Sequence, residues 1–215
     1  MDLKKVKILE QIQLSQQAFL LKTERIFDFK PGQSVAVTVS DDIPPRLYSV
    51  CSGLNRNYIG ILYKVVNNGT LTPRLSALKT NDILHMSEPL GSFVHGTESG
   101  FWIASGTGIA PFISMLESGI TQPVKLLYGA GTGDETYFGS FLHDKLGNRF
   151  VPCITREEVS GSYQGRITQW LKEAQNLPMN IKYYLCGSPE MVVDVRDILI
   201  EKGVEFRNIA SEIYF

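Results

Sequence analysis

The sequence has only three cysteines (Cys51, Cys153, Cys186) and three histidines (His85, His95, His143) in 215 residues. The cysteines are far apart, odd in number and without C-x-x-C spacing, which excludes a disulfide framework and a cysteine-only zinc or iron–sulfur centre within the chain. Adding the histidines would still leave widely scattered ligands, so no metal is expected. No apolar run reaches about 18 residues, the length that marks a candidate membrane-spanning helix. The opening M-D-L-K-K leads into no apolar signal core with a small-residue cleavage site. Charge of one sign is not in excess either: 21 Lys and Arg face 22 Asp and Glu, a net charge of -1. That balance argues against nucleic acid as the main partner. A metal-free, cytoplasmic protein is the expectation. At 43% hydrophobic and 20% charged residues, the chain has enough apolar surface for a sizeable core.

Two halves follow different periods. Before about residue 97, short runs alternate apolar and polar residues or are rich in β-branched ones: Val6–Leu14, Ser34–Ser40, Arg46–Ser52, Tyr58–Val66 and Ile83–Ser87. Turn signals at Lys30-Pro31-Gly32, Pro44-Pro45 and Asn67-Asn68-Gly69 separate them. Such a series predicts an antiparallel barrel or sandwich. One short helix is expected over Thr72–Leu78, with Thr72 as its cap and Pro73 at its first position. From residue 98 on, strands alternate with helices. Strands are expected at Phe101–Ser105, Val124–Tyr128, Phe150–Thr155 and Ile181–Cys186, and helices at Pro111–Ser118, Glu135–Leu146, Ile167–Asn176 and Pro189–Lys202. A last strand falls in Val204–Ile209 or in the final S-E-I-Y-F. This alternation predicts a doubly wound parallel α/β sheet. The chain therefore divides into domains at 1–97 and 98–215.

Several local patterns suit a phosphate-bearing ligand. In A-S-G-T-G-I-A-P, Ala104–Pro111, glycines flank Thr107 between a strand and a helix, where backbone approaches a ligand closely and helix N–H groups face an anion. In R-L-Y-S, Arg46–Ser49, strand alternation puts Arg46 and Tyr48 on one face, a cation beside a flat ring, and Ser49 on the other. G-T-L-T-P-R-L, Gly69–Leu75, sets hydroxyls beside a helix start. C-G-S-P-E-M, Cys186–Met191, lies at the carboxyl end of a parallel strand, on the edge that holds Ala104–Pro111. Each pattern also has an ordinary structural reading: a tight turn, an outward-facing strand, a capped turn, a packed thiol.

Their order along the chain, closed by Glu212-Ile213-Tyr214-Phe215, resembles the ferredoxin–NADP reductase family, in particular its short bacterial type. The resemblance implies an FAD-binding barrel followed by an NADP-binding α/β domain. It places FAD against Arg46, Leu47, Tyr48 and Ser49, against Leu62, Tyr63 and Val65 on the next strand, and against Gly69, Thr70, Leu71 and Thr72 at the pyrophosphate. NADP(H) falls to Gly106, Thr107, Gly108 and Pro111, and to Cys186, Gly187, Ser188 and Met191. Ser49, Cys186, Glu212 and Tyr214 match the residues around hydride transfer, with Tyr214 over the flavin and Phe215 near the adenine of FAD. Thr155-Arg156-Glu157 is similar to the family's S-R-E element, so Arg156, with Thr155 beside it and Arg166 nearby, implies recognition of the 2′-phosphate. Tyr128–Thr132 lacks the Arg that related bacterial enzymes carry there, which implies weaker selectivity for NADPH. The resemblance implies hydride exchange between NADPH and FAD and single electrons passed to or from ferredoxin or flavodoxin. Alternatives are an NAD(P)H–flavin or oxygenase-component reductase, and a non-catalytic flavin electron-transfer subunit. Lys4, Lys5, Lys7, Arg25, Lys30 and Arg56 are candidates for a basic rim that meets an acidic carrier.

Overall fold

The computed structural model describes residues 2–94 and 99–214. They form two compact units: 2–94 with Ala110–Gly119, and 99–109 with 120–214. The expected junction at 97/98 lies outside the described residues, as do His95 and Phe215.

The first unit is built on six antiparallel strands: β1 (Leu3–Gln13), β2 (Ala18–Glu24), β3 (Ser34–Thr38), β4 (Arg46–Ser49), β5 (Tyr58–Lys64) and β6 (Ile83–Ser87). Their order is β4-β3-β6-β1-β2-β5. The two outer strands meet beyond β4, where Val50 bridges Ile61 and the Cys51 N–H donates to the Gly60 carbonyl at 2.7 Å. The sheet thus curls into a nearly closed barrel with little exposed edge. Alternate residues of each strand fill it: Val6 and Ile8, Val35 and Val37, Ile59 and Ile61, Leu84 and Met86. β2 escaped the alternation reading because Ala18-Phe19-Leu20-Leu21 is continuously apolar.

The short helix α1 (Thr72–Ala77) sits where expected and is anchored by buried Leu71 and Leu75. Thr72 does not cap it. The N-cap position falls to Leu71, and the Thr72 hydroxyl accepts the Val66 N–H at 2.9 Å, closing the preceding turn instead.

A second helix, α2 (Ala110–Glu117), belongs with the barrel although the alternation placed it with the sheet domain. Phe112 packs edge-on against Phe93 at 5.9 Å, and the Ser114 hydroxyl donates to the Ser52 carbonyl at 2.7 Å. Its last residue, Glu117, collects three donors: Gly53 N–H at 2.8 Å, Arg56 Nε at 3.2 Å and Arg56 Nη2 at 2.6 Å. A side chain on Gly53 would lie 2.5 Å from the Glu117 Cβ, so glycine is required for this approach.

The second unit is a parallel sheet of β7 (Gly100–Ser105), β8 (Lys125–Ala130), β9 (Phe150–Ile154), β10 (Tyr163–Gln164), β11 (Lys182–Gly187) and β12 (Ile209–Ile213), in the order β10-β9-β8-β7-β11-β12. Adjacent residues such as Phe101 and Trp102, Leu126 and Leu127, or Tyr183 and Tyr184 are all buried, so these strands read as unbroken apolar runs. Helices α4 (Ile167–Glu173) and α5 (Pro189–Glu201) lay Ile167, Leu171, Val192, Val195 and Leu199 on Phe101, Ile103, Leu127, Tyr183 and Leu185. Helix α3 (Gly139–Leu146) begins four residues after the expected Glu135, because Phe138 adopts a left-handed φ of 60° and breaks the helix there. α4 ends at Glu173 rather than Asn176, since Ala174 is extended.

Cys51, Cys153 and Cys186 are buried and unpaired. Burial raises the Cys153 thiol to about 12 and pushes the Cys51 thiol up as well, consistent with packing roles. His143 is exposed on α3, but His85 is only partly exposed on β6, and its Nδ1 is buried without a hydrogen-bond partner among the described residues.

We expect Glu117→Ala to cost about 2 kcal/mol, because it strips charge-assisted hydrogen bonds from a mostly buried carboxylate. Thermal unfolding followed by circular dichroism should show a melting temperature lower by several degrees, with Glu117→Gln falling less because it keeps an acceptor for Gly53. Equal melting temperatures for all three proteins would remove the clamp from the account.

Candidate functional site

In the first unit the R-L-Y-S residues form β4, paired with β3 so that Val35 faces Tyr48 and Ser34 faces Ser49. Arg46 and Leu47 are exposed, Tyr48 is half-buried and Ser49 is buried. Tyr48 packs on the barrel core and meets Tyr63 edge-on at 6.4 Å. Burial raises its phenol to about 12, while the Arg46 charge pulls the other way, as expected of a cation on the same face. The Ser49 hydroxyl lies 3.2 Å from that of Ser34.

On β5, Leu62 and Tyr63 are both buried, and Val65 packs on the barrel core. The Tyr63 hydroxyl donates to Gln11 Oε1 at 2.9 Å, which commits that side chain to the barrel interior. Gln11 also donates through Nε2 to the Ser76 and Leu78 carbonyls at 3.1 and 3.3 Å, so it fixes the far end of α1. Sequence reasoning gave Gln11 no part in this. At the near end, Gly69 is half-buried and Thr70 is exposed. The Thr72 hydroxyl accepts from Val66 and retains its own proton for donation. An exposed guanidinium, the Thr70 and Thr72 hydroxyls and a half-buried aromatic ring form a donor set that fits a flavin dinucleotide.

In the second unit the residues of interest gather at the carboxyl ends of the parallel strands. The turn Gly106–Ile109 leaves β7 as a single 3-10 turn. A side chain on Gly108 would overlap the Cys186 carbonyl and stand 2.7 Å from the Gly187 Cα, so two backbones touch here. Gly187, at φ +154°, leaves no room for a side chain either, which would overlap Ser105 Oγ. Ser105 Oγ accepts the Ser188 N–H at 3.3 Å. Ser188 in turn caps α5 by accepting the Met191 N–H at 3.3 Å. Thr107 is half-buried beside this junction, and the Tyr128 hydroxyl donates to the Gly106 carbonyl at 2.8 Å. Pro111 is buried in the first turn of α2, within the first unit.

Cys186 pairs with Glu212 across β11 and β12, its Sγ 4.0 Å from Glu212 Oε2. Burial, then the Glu212 charge, push its thiol well up, while a hydrogen bond with Tyr214 opposes them. The Tyr214 N–H donates to the Gly187 carbonyl at 2.9 Å. Cys186, Glu212 and Tyr214 are therefore brought together; Ser49, the remaining member of the expected group, lies in the other unit.

Thr155 and Arg156 follow β9. The Thr155 hydroxyl donates to the Ala130 carbonyl at 3.4 Å and the Arg156 N–H to the Gly131 carbonyl at 2.8 Å. The Gly165 N–H donates to the Ile154 carbonyl at 2.8 Å, which returns Arg166 to the same strand end. Two carboxylates share this edge, Glu157 of the T-R-E stretch and Glu135, which no motif indicated. Glu135 accepts the Gly131 N–H at 3.1 Å and Glu157 the Gly133 N–H at 2.5 Å. The D-E and R-E pairs were visible as charges, but their partners depend on the loop's path.

Part of the expected basic rim is already engaged. Arg25 donates to the Leu54 and Arg56 carbonyls, Arg56 is held by Glu117, and Lys4 stands 3.6 Å from Glu88.

Comparison with known proteins fits these two seats. Residues 5–95 match the model of the oxidoreductase FAD-binding domain and residues 102–197 that of the oxidoreductase NAD-binding domain. The chain belongs to the ferredoxin–NADP reductase family. It is 27% identical over 209 residues to the ferredoxin–NADP reductase of Pseudomonas aeruginosa, covering 82% of this chain and 80% of that protein. It is 28% identical over 196 residues to the toluate 1,2-dioxygenase electron transfer component of Pseudomonas putida, covering 86% of this chain but 58% of that protein. A ferredoxin NADP+ reductase from Neisseria gonorrhoeae, solved with bound FAD and NADP, superposes with a TM-score of 0.88 at 23% identity over the full length of both chains, a likeness of fold. This family member is a flavoenzyme oxidoreductase with an FAD-binding and an NAD-binding domain.

Gly108→Ala must displace backbone at the end of β11, and we expect about 2–4 kcal/mol of lost stability. Gly106→Ala meets open space and strains only its own φ of +53°, which costs about 1–2 kcal/mol. Denaturant unfolding of the pair would rank them; equal costs would contradict the backbone contact.

Proposed function

We propose that this chain transfers hydride from a reduced nicotinamide nucleotide to bound FAD and passes the electrons singly to a ferredoxin- or flavodoxin-type carrier. The observation that carries this reading is the cluster of Cys186, Glu212 and Tyr214 at the glycine-lined strand ends. A thiol, a carboxylate and an aromatic side chain meet there, Cys186 opposite Glu212 in the β11–β12 register. FAD, when bound, accepts two electrons as hydride and releases them one at a time.

The chain's residues orient and protect that exchange. Arg46 and the hydroxyls of Thr70 and Thr72 hold the flavin's pyrophosphate, and Tyr48 lies along its ring. The buried Ser49 hydroxyl donates a hydrogen bond towards the hydride acceptor. Gly106, Thr107 and Gly108, with Gly187, Ser188 and Met191, receive the pyrophosphate and nicotinamide of the coenzyme. Tyr214 takes the role of shielding the flavin in exchange with the nicotinamide. Arg156, Thr155 and Arg166 face the adenosine 2′-position. Positioning is the chain's main contribution, because hydride moves only at near-contact distance.

A second reading, the electron-transfer component of an oxygenase, is favoured by the similarity to the toluate dioxygenase component. The two readings differ in the acceptor. We expect the FAD-loaded protein to reduce a [2Fe–2S] ferredoxin or a flavodoxin with NADPH or NADH. Turnover with free flavin alone would contradict the carrier assignment.

Ser49→Ala should keep FAD bound and slow flavin reduction by about tenfold or more, as loss of a donor aimed at the reacting atoms does. Stopped-flow absorbance reads this directly, and an unchanged rate would remove Ser49 from the mechanism.

A further inference from the structure

The end of β8 and the loop after it run Gly129-Ala130-Gly131-Thr132-Gly133, and the absence of a side chain at Gly131 is filled from outside. A Cβ added at Gly131 would stand 2.8 Å from both Cζ and Nε of Arg156 and 2.5 Å from Oε2 of Glu135. The guanidinium carbon and that carboxylate oxygen are therefore at most 5.3 Å apart, the sum of 2.8 and 2.5 Å. Both are fixed by the same glycine: Arg156 through its N–H on the Gly131 carbonyl, Glu135 through its carboxylate on the Gly131 N–H. The Tyr128 hydroxyl adds a contact to the Glu135 carbonyl at 3.4 Å. A cation and an anion thus stand over one point of the strand edge, the anion held by its own backbone hydrogen bond.

We propose that Glu135 sets coenzyme choice in this chain by sharing Arg156 with the adenosine 2′-substituent, so that NADH and NADPH are accepted with little preference. The inference rests on the reading that Arg156 faces the 2′-position. There a 2′-phosphate gains the guanidinium but meets a carboxylate of its own sign. A ribose 2′-hydroxyl instead donates to that carboxylate, the arrangement by which acidic residues recognise NAD. Glu157, fastened on the Gly133 N–H, adds negative charge to the same loop. Glu135 is thus a specificity residue, set apart from the hydride-transfer group.

The test is Glu135→Gln in the FAD-loaded protein, because glutamine keeps an acceptor for Gly131 N–H and removes the charge. Steady-state kinetics with each coenzyme are paired with equilibrium binding of adenosine 2′,5′-bisphosphate and 5′-AMP. We expect kcat/KM for NADPH to rise about two- to fivefold, the scale of one partly exposed charge pair. The change should lie in KM, kcat/KM for NADH should fall, and the bisphosphate should bind more tightly while 5′-AMP does not. An equal change for both coenzymes, or no change in bisphosphate affinity, would overturn the proposal. Arg156→Ala separates the two levels. If it weakens NADPH and the bisphosphate while Glu135→Gln leaves the coenzyme ratio fixed, Glu135 is not the selector and the 2′-position reading stands. If Arg156→Ala affects neither coenzyme, that reading fails and the proposal with it.

Discussion

At the end of β11 two stretches of backbone come so close that neither tolerates a side chain, and the second unit is arranged around that contact. Gly108 rests on the Cys186 carbonyl and Gly187 folds against Ser105. Because both are glycines, the turn after β7 and the turn after β11 lie together at one strand edge. Ser105 then receives the Ser188 N–H, Ser188 caps α5, and the Gly187 carbonyl receives the N–H of Tyr214. A chain of short-range backbone constraints thus delivers the thiol, the carboxylate and the terminal tyrosine to one place. The barrel solves a different problem: an exposed guanidinium and a half-buried ring on β4, and the hydroxyls beside α1, are held by a core that leaves those groups accessible.

Burial and charge divide the work between the two ends of the nucleotide seat. At the end of β11, Cys186 is buried and kept as a thiol rather than a thiolate, beside half-buried Glu212 and Tyr214. After β9, Arg156 and Arg166 are exposed, and Glu135, held on the Gly131 N–H, stands beside Arg156. On the proposed reading, the first suits neutral, close-fitting contact and the second is where charge discriminates between ligands.

Much of this was legible in the sequence. The glycines of A-S-G-T-G pointed to a close backbone approach, and C-G-S-P to the same strand edge, although a tight turn alone would also call for glycine there. The change from alternating residues to apolar runs separated barrel from sheet. What was hidden depends on contacts across the fold. The Thr72 hydroxyl was read as a cap, but its partner is the Val66 N–H across a turn. Phe138 delayed α3 through a left-handed conformation that no propensity indicates for phenylalanine. Gln11 fastens α1 from a strand sixty residues earlier, as its bonds to Ser76 and Leu78 show. Glu135 appeared only as the start of an expected helix and Glu157 only as part of T-R-E; their backbone N–H partners, Gly131 and Gly133, depend on the path of the loop.

The central claim is that the two seats serve one reaction, and an anaerobic titration tests it most directly. The purified protein, supplied with FAD, is followed by visible absorbance while NADPH or NADH is added. The account predicts one tightly held flavin per chain that is bleached stoichiometrically by either coenzyme. A flavin that binds but stays oxidised with both, or a protein that retains no flavin, would contradict it.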